Sequence, residues 1–85
     1  MTKYTFQTSG VCSQEISFML DEQNRVHNVQ FLGGCPGNLL AIGKLIEGAD
    51  ASHVAMLLKG NDCGGRGTSC ADQLSRALTQ ALAGK

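Results

Sequence analysis

The hydrophobic period of this chain changes once, and that change decides the fold class. Up to Phe31, apolar residues alternate with polar ones. "KYTFQT" sets Tyr4 and Phe6 against polar neighbours, "QEISFMLD" aligns Ile16, Phe18 and Leu20, and "RVHNVQFL" aligns His27, Val29 and Phe31. A period of two belongs to strands with one buried face. The polar run "DEQN" makes a hairpin turn between the second and third strands, and the short "SGVCS" joins the first two. Three strands with such short connections form an antiparallel meander.

Beyond Phe31 the period becomes helical. "PGNLLAIGKLIEG" puts Leu39, Ile42, Gly43 and Ile46 on one face and ends at Gly48. "DASHVAMLLKG" makes a second short helix, with Val54, Leu57 and Leu58 expected to face inward and Gly60 stopping it. "SCADQLSRALTQALAG" carries the clearest stripe, formed by Leu74, Ala77, Leu78, Ala81 and Leu82. Ser69, followed three residues later by Asp72, resembles a capping box with Asp in place of Glu or Gln. The expected architecture is α+β: a three-stranded antiparallel sheet followed by three helices packed on one face, in the order βββααα.

At 85 residues the chain has the length of one domain, residues 1–85, with a modest core that a crosslink or bound ion would help. Seven basic residues balance seven acidic ones, so no overall field recruits nucleic acid or anionic lipid. No stretch has the length of a membrane span, and "MTKYTFQTSG" does not read as a signal peptide. The expected compartment is therefore the cytoplasm, with neither membrane nor direct nucleic-acid binding. Thiols stay reduced there, so four cysteines call for a role other than structural disulfides.

All four lie at junctions between elements. Cys12 is in the turn between the first two strands, Cys35 between the third strand and the first helix, Cys63 in the glycine-rich "NDCGGRGTS", and Cys70 at the start of the last helix. Structural cysteines more often behave as small hydrophobes on an element's apolar face. The stretch "FLGGCPGN" reads as a corner: its glycines allow the turn, and Pro36 suits the first helical position, where its missing N–H costs nothing. Cys35 then sits at the mouth of a helix, which favours a thiolate.

In a meander the first strand ends, the second begins and the third ends at the same edge of the sheet. Cys12 and Cys35 can therefore meet there, and placing Cys63 and Cys70 at that end is compatible with the topology. Four thiolates suit a closed tetrahedral metal site, although no C-x-x-C pair is present. His27 reads as a core or edge histidine, His53 as solvated, and Asp72 as a cap. The loop with Arg66 could cradle a phosphate, but it lacks the Lys-Ser/Thr ending of a P-loop.

Four stretches in order, "GVCSQEISF", "VQFLGGCPGNL", "LIEG" and "CGGRGTSCADQL", resemble the TSCPD domain family in its short stand-alone form, over nearly the full chain. The name motif here is Thr68, Ser69, Cys70, Ala71 and Asp72, with alanine where the family has proline. TSCPD domains also occur at the C-terminus of cobalamin-dependent ribonucleotide reductases. The resemblance thus implies a link to deoxyribonucleotide supply and to the label ribonucleoside-diphosphate reductase. A chain of 85 residues has no room for the catalytic barrel, so at most it would be an accessory module relaying reducing equivalents. A more distant similarity is to the NifU-type iron–sulfur cluster scaffolds. Cys12, Cys35 and Cys70 match three of their cysteines in order, while Ser13 stands where the scaffold has aspartate and Cys63 has no counterpart.

Three readings remain open. Cys12, Cys35, Cys63 and Cys70 can bind zinc or a transient iron–sulfur cluster, with a cluster donor or acceptor as partner. They can relay electrons to a ribonucleotide reductase. Or they can be structural residues of an interaction domain. The first, with zinc ahead of a cluster, matches four thiolates best.

Overall fold

The computed structural model describes residues 1–8, 13–33, 36–61 and 69–84, with the backbone alone at 13–14 and 36–38. Strands β1 (Thr2–Gln7), β2 (Ser13–Leu20) and β3 (Val26–Gly33) precede helices α1 (Pro36–Ile46), α2 (Ala51–Leu58) and α3 (Cys70–Ala83). The sheet has the order β1-β2-β3 and is antiparallel throughout. This is the α+β arrangement that the change of period implies.

Strands β1 and β2 pair in unbroken register from Thr2 opposite Leu20 to Gln7 opposite Glu15. Ile16, Phe18 and Leu20 point from β2 to the helices and are fully buried. They meet Val54 and Ala55 of α2 and Leu74, Ala77, Leu78 and Ala81 of α3 in one core. Burying side chains of the size of Phe18, Leu74 and Leu78 contributes about 1.5–3 kcal/mol each. Tyr4 stacks on Phe18 with ring centroids 5.6 Å apart.

Strand β3 departs from simple alternation. Between Ser17, opposite Gln30, and Met19, opposite His27, it holds one residue more than β2. The extra residue is a β-bulge, and Asn28 within it adopts φ 54°, a left-handed conformation that Asn tolerates. A bulge reverses which residues face the core. Val29 and Phe31 pack against the core as alternation predicts, but ahead of the bulge Val26 is buried in place of His27. His27 is therefore neither a core residue nor on the face of Val29 and Phe31.

The β2–β3 turn is built around Asp21. Its Oδ1 accepts the N–H groups of Gln23 and Arg25, both at 2.9 Å, and Asn24 closes the turn at φ 61°. The segment after α1 then docks on β3: Gly48 N donates to Val26 O at 2.6 Å, and Val26 N donates to Ala49 O at 2.8 Å. Gly48 supplies the positive φ, 77°, that this reversal needs.

Helix α1 rests chiefly on β3, and α2 on α3. Leu39 is buried and Ile42, Gly43 and Ile46 are half-buried, as the helical spacing predicts. At Gly43 a Cβ would lie 3.1 Å from the Val29 carbonyl oxygen, so the absence of a side chain lets the helix pass close over the strand. Asp50 caps α2, accepting the His53 N–H and the Ser52 hydroxyl at 3.0 Å each, and these bonds hold its carboxyl below the usual range. His53 is exposed, as expected.

The inward stripe of α2 differs in phase from the expected one. Ala51, Val54 and Ala55 are buried and Leu58 half-buried, whereas Leu57 is 65% exposed. Close approach of α3 explains the choice: the Ser75 hydroxyl donates to the Ala55 carbonyl at 2.6 Å, which requires small residues between the helices.

Candidate functional site

The one sequence-predicted ligand within the described residues is Cys70; Cys12, Cys35 and Cys63 lie outside them, as does most of the glycine-rich loop with Arg66. Cys70 occupies the first position of α3 and is half-buried. Ser69 is the N-cap, extended at φ −152°, and its hydroxyl oxygen accepts the Asp72 N–H at 3.0 Å. That bond satisfies one of the orphan donors of the helix start. Asn61 adds a side-chain N–H to the same Ser69 oxygen at 3.2 Å.

Asp72 does more than cap. Although nearly buried, it accepts the Gly60 N–H at 2.7 Å and pairs with Arg76 at 3.0 Å, four residues along the helix. The Gly60 bond fixes the end of α2 to the first turn of α3. Ala71, in the family's proline position, is also buried in this turn. Cys70 thus stands on a first turn held by Ser69 and Asp72, between two buried neighbours.

The described flanks of Cys12 and Cys35 lie side by side. Ser13, which follows Cys12 in the chain, is the register partner of Gly33, two residues ahead of Cys35. The pairing of Gln7 with Glu15 brings the end of β1 to the same edge, and the Gln7 amide donates to Glu15 Oε1 at 2.9 Å. The meander therefore gathers three strand ends, as its topology predicts.

A charged cluster elsewhere escaped the sequence reading. His27 Nε2 lies 2.8 Å from Asp21 Oδ2, and Nδ1 lies 2.6 Å from Glu47 Oε2. Carboxylates on both ring nitrogens favour a proton on each, and thus the imidazolium form of His27. The hydrogen bonds from Asp21 and Glu47 raise the His27 pKa. His27 in turn helps to lower Asp21 to about 2, together with the backbone N–H groups of the turn. Glu47 is lowered first by the Asn28 N–H, which donates to its Oε1 at 2.8 Å, and then by His27.

The cluster clips the end of α1 to the bulge of β3 and to the β2–β3 turn. It leaves no ring nitrogen to ligate a metal. Among the described residues, no group of three or more His, Cys, Asp or Glu side chains is placed to hold a metal ion. The bulge was the missing signal: without it, His27 reads as inward-facing.

The described residues define a small α+β domain with Cys70 at the start of its last helix. The family model of the TSCPD domain matches residues 1–82, and the chain belongs to that family. No curated protein matches the chain significantly. No solved structure does so either, and the likeness to NifU-type scaffolds finds no relative to support it. No helix among the described residues is long and apolar enough to cross a membrane.

Proposed function

We propose that this TSCPD domain is a thiolate metal-binding module in which Cys12, Cys35, Cys63 and Cys70 close one tetrahedral zinc site. The observation that carries the proposal is the pairing of Ser13 with Gly33, which sets the chain next to Cys12 beside the chain leading to Cys35. Chain connectivity limits how far each thiol can stray from that edge, since consecutive Cα atoms are about 3.8 Å apart. The donor chemistry fits: four sulfurs satisfy zinc without water or carboxylate. Cys70, in a first turn fixed by Ser69 and Asp72, offers a ligand position already held by the fold. Bound zinc would contribute folding energy directly to a chain with a modest core.

Purification without added metal, followed by measurement of zinc, iron and acid-labile sulfide, tests this. About one zinc per chain is expected, lost together with stability in Cys35→Ser and in Cys70→Ser. Iron with sulfide in its place would make the domain a cluster carrier with donor and acceptor proteins as partners. A folded, metal-free protein overturns the proposal and turns attention to a thiol relay serving a ribonucleotide reductase.

A further inference from the structure

The two edges of the sheet are finished in different ways. Along β3, Val26 exchanges hydrogen bonds with Gly48 and Ala49, the Asn28 N–H is taken by Glu47, and the bulge bends the strand. These are the devices by which proteins close an edge to further pairing. Among the described residues, none of these covers strand β1. Its six residues pair with β2 on one side in unbroken register, without a bulge or a proline, and Lys3 is its single charge.

Beneath this edge, between β1 and α3, runs a groove of about 190 Å³ whose lining includes Tyr4, Phe6, Phe18 and Ala81 together with the polar Thr5 and Gln80. Tyr4 and Phe6 are only half-buried there.

We infer that β1 pairs with β1 of a second copy of this chain, antiparallel about a twofold axis at Thr5, to give one continuous six-stranded sheet. Directly opposite residues of an antiparallel pair share a face. With the axis at Thr5, Tyr4 of each copy faces Phe6 of the other on the helix side, and Lys3 faces Gln7 on the open side. Aromatic cross-strand pairs of this kind are favourable, and here they extend the stack of Tyr4 on Phe18 across the axis and cover the groove.

Charge fits as well. Glu15 is the register partner of Gln7, so Lys3 of the second copy stands two strand spacings from Glu15, about 10 Å, a gap the two side chains can span together. A formal net charge of zero leaves no overall repulsion between copies. The assembly also stops at two, because the edge that remains on each copy is the blocked β3.

Sedimentation equilibrium across a wide concentration range tests the inference on the whole chain. A dimer is expected. Thr5 is exposed and sits on the axis, so Thr5→Lys brings two like charges face to face. It should weaken dimerisation about tenfold or more while leaving the circular dichroism of the fold intact. Thr5→Cys should form, on mild oxidation, a disulfide between the two introduced thiols that peptide mapping locates. A monomeric wild type overturns the inference and leaves the edge to a strand from a different protein. A dimer that ignores Thr5→Lys, or one whose introduced thiols do not join, overturns it equally.

Discussion

Helices α3 and α1 are attached to the same sheet by opposite means. Along α3, Ala71, Leu74, Ala77, Leu78 and Ala81 are buried, and the polar Asp72, Gln73 and Ser75 are buried with them. Along α1, Leu39 is the one buried side chain among those described, while Leu40 and Leu45 are 61% and 83% exposed. What α1 lacks in burial it replaces with polar fastening: the close pass of Gly43 over β3, the Gly48 and Ala49 bonds to Val26, and the bridge from Glu47 through His27 to Asp21. A helix held by area is insensitive to pH and salt, whereas one held by half-exposed charges is not. The site follows this division, since Cys70 begins the helix held by area and Cys35 precedes the one held by charge.

The sharpest way to break the comparison is to truncate one leucine on each helix. Leu74→Ala should cost about 2–5 kcal/mol, because its side chain is wholly enclosed and the sheet beneath cannot collapse into the space. Leu45→Ala should change stability by less than about 0.5 kcal/mol, as exposed sites do. Urea denaturation of the two variants measures the difference directly. Equal costs would mean that α1 is covered in solution by something beyond this chain.

Next in size is the junction of α2 with α3. Asp72→Ala removes a charge-assisted bond to the Gly60 N–H and the pair with Arg76, and should cost about 1.5–3 kcal/mol. Ser69→Ala removes the cap together with the Asn61 bond to the same oxygen and should cost about 1 kcal/mol. If the two variants lose equal stability, the Gly60 bond contributes nothing, and α2 is held by packing and by the Ser75 bond to Ala55.

The smallest effect has the most specific signature. His27 is raised above its ordinary 6.5, so the stability it contributes is complete below pH 6.5 and is lost as pH rises through the folded-state value. Asp21 and Glu47 are lowered from 3.8 and 4.5, so their contributions are complete above pH 4.5 and are lost as pH falls through the folded-state values, about 2 for Asp21. The clip is thus at full strength between about pH 4.5 and 6.5. His27→Ala should lower the denaturation midpoint most in that window, and the gap from wild type should narrow on both sides and in high salt. Hydrogen exchange should quicken in α1 and not in α3. A gap that is constant with pH would refute the ion-pair account of how α1 is held.

Legibility in the sequence followed the same division. Regular elements announce themselves through local period: the three strands, the three helices, the stripe of α3 and the cap at Ser69 could be read from spacing, because burying one face forces that spacing. The errors lay where one element had to accommodate another. His27 seemed to face inward because a bulge leaves no mark in a two-residue alternation, and Asn28 alone gave no sufficient sign of it. Val54, Leu57 and Leu58 read as the inward stripe of α2, whereas the approach of Ser75 sets Ala55 inward and leaves Leu57 exposed. Asp72 was legible as a capping residue, but its bond to Gly60 spans a loop and has no local pattern.

The sequence by itself determined the class of fold, the order of its elements and the placing of four cysteines at their junctions, since periodicity and turn chemistry are properties of short stretches. Tertiary structure alone decided which residues of β3 face the core, that His27 bridges Asp21 and Glu47, and that the β3 edge of the sheet is closed. Those outcomes depend on bulges and on groups brought together from distant parts of the chain, and their energies exist only once the layers have packed.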